Sequence, residues 1–404
     1  MPDPSEAEGR SKIVFWTALD SEREAACSEL AAKYNMEARE GAVELVNFPS
    51  RSALREELER TQSPPDLALI DTLWQADLVD RKAIIPVEDL MNRVNDMLRV
   101  VYKMDTFPRV WLRSVHKGKA WTIPIFAESY ALICNTDLLT KKGIQKAPQT
   151  WQEVVAAGQK LTDPEKHQWG FVIPLHLSVQ ELADIWTALL EEQGGLLLDP
   201  NTREVAFNSK EGKDALQLMA DLIHKHKVSP PHETSGALVA AMMLGTPDDA
   251  RGMESRHIPF SVASWPKARK RANNLRVDAL AVMKTTPERE KPAWKFARWL
   301  TEFEALKHLA MSTHYPPVNR VVWMAPDYLQ LLKEKKPWMQ TYIDQLQTAS
   351  VSLEAIEYYE RVLTALGIRV LEVLQNKRDP GEALDSAAKE VKEILAGKSV
   401  GPRQ

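Results

Sequence analysis

Strand-like and helix-like segments alternate from Lys12 to Leu73, and this alternation constrains the fold more than any other feature of the chain. KIVFWT (Lys12 to Thr17) reads as a strand, and Asp20 to Tyr34 as an amphipathic helix capped by Asp20 or Ser21. Val43 to Phe48 is a second strand. Ser52 to Gln62 is a helix that Pro64-Pro65 ends. DLALI (Asp66 to Ile70) is a third strand, followed by Asp71-Thr72 and a helix from about Leu73. Such alternation predicts an α/β fold, a mostly parallel sheet with helices on both faces. Sheets of this kind bind ligands beyond the carboxyl ends of their strands. Three loops therefore become candidates: Trp16-Thr17, Pro49-Ser50-Arg51 and Asp71-Thr72.

The middle of the chain reads as a second body. AWTIPIFAESYALICNTDLLTKKGI (120–144) is a strand ending at Pro124, a polar turn at Phe126 to Ser129, an apolar strand at Tyr130 to Asn135, and a helix start capped by Asn135-Thr136-Asp137. A polar turn between two buried strands is a place where a chain can cross between lobes. Trp151 to Leu161 is a helix capped by Thr150, and Gln168 to Pro174 a strand. Gln180 to Gln193 is a helix stopped by Gly194-Gly195. Ser209 to His226 is a further helix, and Ala237 to Leu244 a helical segment leading into Gly245-Thr246-Pro247-Asp248. Asp278 to Met283 is a strand, Lys291 to Leu300 a helix, and Pro326 to Leu395 helical throughout. No internal repeat or low-complexity tract interrupts this order.

The 120–144 segment closely resembles the first interlobe crossing of the extracellular solute-binding proteins of ABC importers, the sugar-type family 1. Ala241-Met242-Met243-Leu244-Gly245-Thr246 resembles that family's turn into the ligand cleft. Ser312 to Arg320 resembles its Gly-x-x-Pro-x-Arg turn, and Arg378 to Asp385 its Pro-x-x-Ala-Leu-Asp motif near the C-terminus. The resemblance runs from Lys12 to Leu395. One departure is chemical: Arg276-Val277 stand where the family often has Gly-Gly, which puts a cation near the cleft. The resemblance implies a two-lobed periplasmic-binding-protein fold of class II, each lobe a mostly parallel sheet flanked by helices, with a helical C-terminal region. Lobe one would hold 12–126 and 277–318, and lobe two 130–270 and 322–400, after a disordered lead at 1–11. Hinge crossings fall near 127–129, 271–276 and 315–321.

Composition limits the function classes. A chain of 404 residues suggests two to three domains. Its formal net charge of −4 argues against nucleic acid as partner. The cluster Lys267 to Arg271 reads as a solvated loop or strand edge. No segment is apolar enough over a sufficient length to span a bilayer. The opening MPDPSEAEGRSK is polar, and two readings of it stay open: a cytosolic chain, or a mature chain whose signal segment and anchor have been removed. The resemblance favours the second, and with it a lipid-anchored protein at the periplasmic or extracellular face of the membrane. Cys27 and Cys134 read as small buried hydrophobes, not a disulfide. The sequence has no GxSxG, HExxH, P-loop or CxxC pattern. His224-Lys225-His226 complements a helix C-terminus better than it makes a metal site. No cofactor or metal and no enzymatic role is expected; a pair of carboxylates for glycoside hydrolysis needs only a distance, and the motif order does not support one.

Sugar recognition requires flat apolar faces and groups that fix hydroxyls with paired hydrogen bonds. Trp16, Trp74, Trp186 and Tyr315 fall in or beside the candidate loops, each as a stacking platform or a core residue. Trp294 and Trp299 read as packing. Asp71 either caps the next helix or reads a hydroxyl. Glu128 is a binding residue or a solvated turn residue, and Asp248 and Asp249 either cap a helix or face the ligand. Thr17, Ser50, Arg51, Thr72, Thr246 and Arg276 complete the candidate set. The resemblance implies a monomeric receptor that closes on a sugar or glucosyl-type osmolyte and delivers it to permease subunits of an importer. The alternative solute is a phosphorylated polyol such as glycerol phosphate, which Arg51 and Arg276 could bind; a glycoside-active enzyme is the more distant alternative.

Overall fold

A computed structural model describes residues 12–37, 41–94, 96–173, 177–231, 234, 238–349 and 358–397. The expected lead at 1–11, the strand end at Pro174 and the helix start at Ala237 lie outside these residues. The chain forms two compact units. One holds the chain up to Ala127 and Arg276–Pro337; the other holds Glu128–Leu275 and the chain from Trp338 onward.

The first unit opens with β1 (Lys12–Thr17), α1 (Ser21–Glu37), β2 (Ala42–Asn47), α2 (Arg51–Arg60) and β3 (Leu67–Asp71). A 3₁₀ turn, Thr72–Trp74, leads into α3 (Gln75–Asp80), α4 (Val87–Val94), α5 (Asp96–Asp105) and α6 (Pro108–Arg113). A small hairpin, β4 (Val115–His116) and β5 (Lys119–Ala120), precedes β6 (Ile123–Ser129).

The second unit continues with β7 (Ala131–Asn135), α7 (Thr136–Lys141), α8 (Trp151–Leu161), β8 (Gln168–Trp169), α9 (Val179–Glu192) and α10 (Lys210–His224). Then come β9 (Val239–Ala240), β10 (Met242–Gly245), α11 (Pro247–Ser255) and β11 (Phe260–Ala263). β12 (Leu275–Val282), α12 (Pro287–Leu300), α13 (Phe303–Ser312), α14 (Arg320–Trp323) and α15 (Pro326–Glu334) return to the first unit. α16 (Met339–Thr348), α17 (Tyr359–Leu374) and α18 (Pro380–Leu395) belong to the second.

The first unit is built on a five-stranded sheet of order β2-β1-β3-β12-β6. β1 lies parallel to β2 and β3, as strand–helix alternation requires, and β12 runs antiparallel to β3 with Asp278 opposite Asp71. All five residues of β3 are buried, which is why DLALI carries no polar alternation. Phe15, Tyr34 and Phe296 meet edge-on under the sheet, and Trp299 joins them, so that tryptophan packs as expected.

Four expectations are corrected. Phe126 to Ser129 is not a turn but the end of β6, and Tyr130 alone separates it from β7. The stretch read as a helix at 237–244 forms β9 and β10 in its described part, because a short apolar run fits a helix or a strand equally. The second unit's three-stranded sheet, β10-β7-β11, is antiparallel and not mostly parallel. Residues 322–337 group with the first unit, and no crossing occurs at 315–321. Hydrogen bonds hold that segment there: Phe107 N–H donates to Val318 O at 3.0 Å, and Arg320 reaches the Met104 carbonyl at 3.1 Å.

Both cysteines are buried and free, one in each unit, and burial pushes both thiols up to about 12. Among the described residues no helix is long and apolar enough to cross a membrane.

Candidate functional site

Three parallel strands end together in the first unit, so Thr17, Asn47 and Asp71 share one sheet edge. α1 and α2 start from this edge. Each carries an arginine in its first turn, Arg23 and Arg51, where the helix dipole disfavours a cation. Carboxylates offset that cost. Arg23 Nε meets Asp20 Oδ2 at 2.6 Å and its Nη1 meets Asp278 Oδ2 at 3.0 Å. Arg51 bridges the two strand carboxylates, reaching Asp278 Oδ2 at 2.8 Å and Asp71 Oδ2 at 3.1 Å. Arg276 Nε lies 3.5 Å from the same Asp71 oxygen. The result is a run of alternating charge, Asp20–Arg23–Asp278–Arg51–Asp71–Arg276, with three ions of each sign. Asp71 and Asp278 are cross-strand partners, a repulsive arrangement that Arg51 makes favourable by standing between them.

At Asp20, burial acts to raise the carboxyl pKa, but the charge of Arg23 and its hydrogen bonds outweigh it, so the net shift is downward. The Tyr315 hydroxyl donates to Asp20 Oδ2 at 3.3 Å, and the Arg23 guanidinium lies over the Tyr315 ring, 4.1 Å from its centroid.

These distances decide several candidates. Asp71 is buried and receives Leu73 N–H at 3.0 Å on its other oxygen, so it caps the 3₁₀ turn as well as holding two arginines. Thr17 is buried and its hydroxyl donates to Asn47 Oδ1 at 2.8 Å. Ser50 caps α2 by accepting Ala53 N–H at 3.1 Å. Thr72 is buried. Tyr315 is held between Arg23 and Phe126 and is a packing residue. Trp74 is buried in the cluster of Leu54, Ile70, Leu78 and Met283. Trp16 is half-buried against Phe48 at the rim of the same cluster, and is the one of the four aromatic candidates that is not fully buried.

In the second unit Trp186 is the clearest correction. It is 0% exposed, sits edge-on to Phe207, and donates its indole N–H to Gly212 O at 3.2 Å. No ring face is left for a ligand, so the expected stacking role is overturned. Glu128 is half-buried on β6, beside Ser129, whose hydroxyl receives Gln345 Nε2 at 3.1 Å. Thr246 starts α11, and its N–H and hydroxyl donate to Asp249 Oδ2 at 2.8 and 3.1 Å. Asp248 is exposed and pairs with Arg251 one turn on. Tyr342, buried beneath them, reaches the carbonyls of Gly245 and Thr246 at 3.0 and 2.9 Å.

Asp20, Arg23, Asn47 and Asp278 were missed from sequence. Arg23 had a signal: a cation in a helix's first turn needs a carboxylate nearby. Asp278 had a weaker one, a charge at the start of an apolar strand. No cluster of three metal-ligating side chains occurs among the described residues.

A model of the bacterial extracellular solute-binding proteins matches residues 24–306. Over 331 residues the chain is 22% identical to the maltotriose-binding protein of Pyrococcus abyssi, covering 79% of this chain and 69% of that one. A solved structure, the cyclic alpha-maltosyl-1,6-maltose binding protein of Arthrobacter globiformis, superposes with a TM-score of 0.83 at 21% identity, over 96% of this chain and 100% of that one. A Mycobacterium tuberculosis protein solved in complex with glycerophosphocholine has the same fold, with a TM-score of 0.80 at 17% identity over 96% and 99% of the two chains.

Proposed function

Because this chain belongs to the bacterial extracellular solute-binding protein family, which places it at the periplasmic or extracellular side, we propose that it is the receptor of an importer for a neutral sugar or polyol. A relative named for maltotriose binding and a structural neighbour named for a cyclic maltosyl sugar support the solute class. The observation that carries the reading is the charge balance at the strand ends of the first unit. Every guanidinium there is matched by a carboxylate, and Glu24 adds one more on Asn47, so the edge has no unmatched cation for an anionic solute and offers hydroxyls ordered donors and acceptors. Trp16 is the aromatic suited to stack on a pyranose face. Delivery is to permease subunits, with no covalent step.

The glycerophosphocholine complex of a neighbour raises a second reading, a phosphorylated polyol. Two features weigh against it. Arg51 and Arg276 already share Asp71, and the N-terminus of α11 already carries Asp248 and Asp249, which would repel a phosphate. Native mass spectrometry of the solute carried through purification tests the proposal, followed by calorimetry with maltotriose, ribitol and glycerophosphocholine. A neutral polyhydroxyl solute recovered unchanged after incubation is expected. Binding of the phosphodiester with no neutral competitor would overturn the neutral class, and turnover of a glycoside would overturn the receptor.

A further inference from the structure

The loop that joins β11 to β12 carries a cationic patch on the second unit. Lys267, Arg269, Lys270 and Arg271 fall within one short stretch, and all are exposed. Exposed Lys146 lies on the neighbouring loop, just before Gln149, whose carbonyl accepts Lys267 N–H at 2.9 Å. Hydrogen bonds pin the cationic loop in place. Lys270 N–H donates to Glu192 O at 3.3 Å, and Trp265 N–H to Gln345 Oε1 at 2.9 Å. Arg271 reaches Trp265 O at 3.0 Å and Gln149 Oε1 at 3.1 Å. Arg269 donates to Gln193 O at 3.2 Å, at the end of α9, where the helix dipole favours a cation. The amines of Lys146, Lys267 and Lys270 have no partner among the described residues, and none of the five cations is within ion-pair distance of a carboxylate there. Two carboxylates are nearby. Glu153 accepts Gln149 N–H at 2.6 Å, and Glu211 is held below its ordinary value first by backbone and Ser209 hydrogen bonds and then by the charges of Arg269 and Lys210. Glu192, next to the loop, adds little charge at neutral pH, because burial pushes its carboxyl up to about 8.

We propose that the patch of Lys146, Lys267, Arg269, Lys270 and Arg271 docks the second unit on the anionic phospholipid surface of the membrane that the receptor serves. A cluster of Lys and Arg of this size is attracted to anionic headgroups, each cation adding its share. The charges are spread over two exposed loops and do not enclose a single anion, which suits a surface bearing many headgroups. Amines left without carboxylates give up no ion pair when they meet phosphate. A second copy of this chain is disfavoured, because it would bring like charges together. The chain as a whole has a formal net charge of −4, so its other faces are repelled by the same lipids. The patch therefore sets orientation as well as attachment: this loop turns towards the bilayer. Contact is weak and sensitive to salt, because exposed charges are screened over about 10 Å at 0.1 M ionic strength. The proposal rests on the chain's place at the outer side of a membrane but not on which solute it carries.

The test is flotation of the full chain on vesicles of phosphatidylcholine alone or mixed with phosphatidylglycerol, at low and at high salt. Binding to the mixed vesicles at low salt is expected to exceed binding to phosphatidylcholine by about tenfold or more, and to fall steeply as salt rises. Lys267→Glu combined with Lys270→Glu should remove most of that binding. Both side chains are exposed and unbonded, so the circular dichroism spectrum and solute affinity should stay as they are. Lys333→Glu combined with Lys335→Glu, two exposed lysines of the first unit, changes the net charge equally and should leave vesicle binding intact. Equal loss in the two double variants would overturn the proposal, since net charge alone would then govern binding. Failure of the parent chain to float with phosphatidylglycerol at low salt would overturn it outright. A photo-crosslinking phenylalanine analogue at exposed Gln145, beside Lys146, separates lipid from protein in the cell. Lipid adducts that disappear in the Lys267→Glu, Lys270→Glu background would support the membrane contact. Adducts only to a protein would overturn it in favour of an acidic protein face.

Discussion

The strand-end edge of the first unit and the helix α9 of the second use the same residue types, Trp and Asp or Glu, for opposite purposes. At the strand ends, carboxylates meet guanidiniums because three parallel strands stop together and two helices start there. Around α9, every residue from Leu182 to Glu192 is buried, whatever its polarity. α10 and α17 flank it, and α17 comes so close that a Cβ on Gly367 would strike the Val179 backbone. Trp186 is therefore packing. Glu192 is enclosed too: burial pushes its carboxyl up to about 8, against the hydrogen bond from the Trp151 indole, which acts to lower it. Position relative to a strand end decides function more than residue type does.

The largest effect expected is at Trp186. Trp186→Ala removes a fully buried indole and its hydrogen bond to the Gly212 carbonyl, which should destabilise the second unit by about 3–5 kcal/mol. Urea unfolding measures this. Solute affinity in the folded variant should match that of the parent. A large loss of affinity with little loss of stability would return this tryptophan to the site and break the contrast between the regions.

Next is Arg23→Ala, which leaves buried Asp278 with one guanidinium fewer and strips the cation from the Tyr315 ring. A cost of about 3 kcal/mol to the first unit is expected, the scale for a buried ion pair that loses one partner. Arg51 stays on Asp278 and should limit the loss. An unchanged unfolding midpoint would mean the charge run is not structural, and its matched charges would no longer bear on solute class.

Glu192 sharpens the second region. Burial holds its carboxyl at about 8, above the ordinary glutamate value of 4.5. The folded state therefore holds its proton where the unfolded chain has released it. Stability is greatest below about pH 4.5 and falls as pH rises towards 8, at up to about 1.4 kcal/mol per pH unit from this group. Glu192→Gln keeps a hydrogen-bonding group for the Trp151 indole, which now donates to Glu192 Oε2 at 2.8 Å, and should flatten that slope between pH 5 and 8. A slope that persists in the variant would assign it to other groups.

How much of this was legible in the sequence follows from range. β1, β2 and β3 were readable because each is a short apolar run bounded by turn residues, and their ends gave the candidate loops directly. What each side chain does at those ends was not readable. Arg23 and Asp278 are 255 positions apart, and no local pattern links them. The full burial of α9 was not readable: LADIWTALLEE ends in two glutamates, yet both are buried, and Glu192 accepts the indole N–H of Trp151, 41 positions earlier. β10 was misread because MMLG has no period long enough to separate helix from strand.

The smallest effect expected is at Asp248, which tests whether the site extends to the second unit. Its carboxylate is about half exposed and pairs with Arg251 on the same helix, at 2.6 Å from Nη2. Exposed pairs of this kind contribute a few tenths of a kcal/mol, and a carboxylate in a helix's first turn adds a similar amount. Asp248→Ala should thus cost less than about 1 kcal/mol, with the solute's dissociation constant unchanged within twofold. Asp249, which holds the Thr246 N–H and hydroxyl, stays in place and keeps the start of α11 intact. A tenfold weaker solute in this variant, with α11 unaltered in its circular dichroism, would show that the start of α11 reads a hydroxyl directly. Polar recognition would then have to be assigned to both regions and not to the strand ends alone.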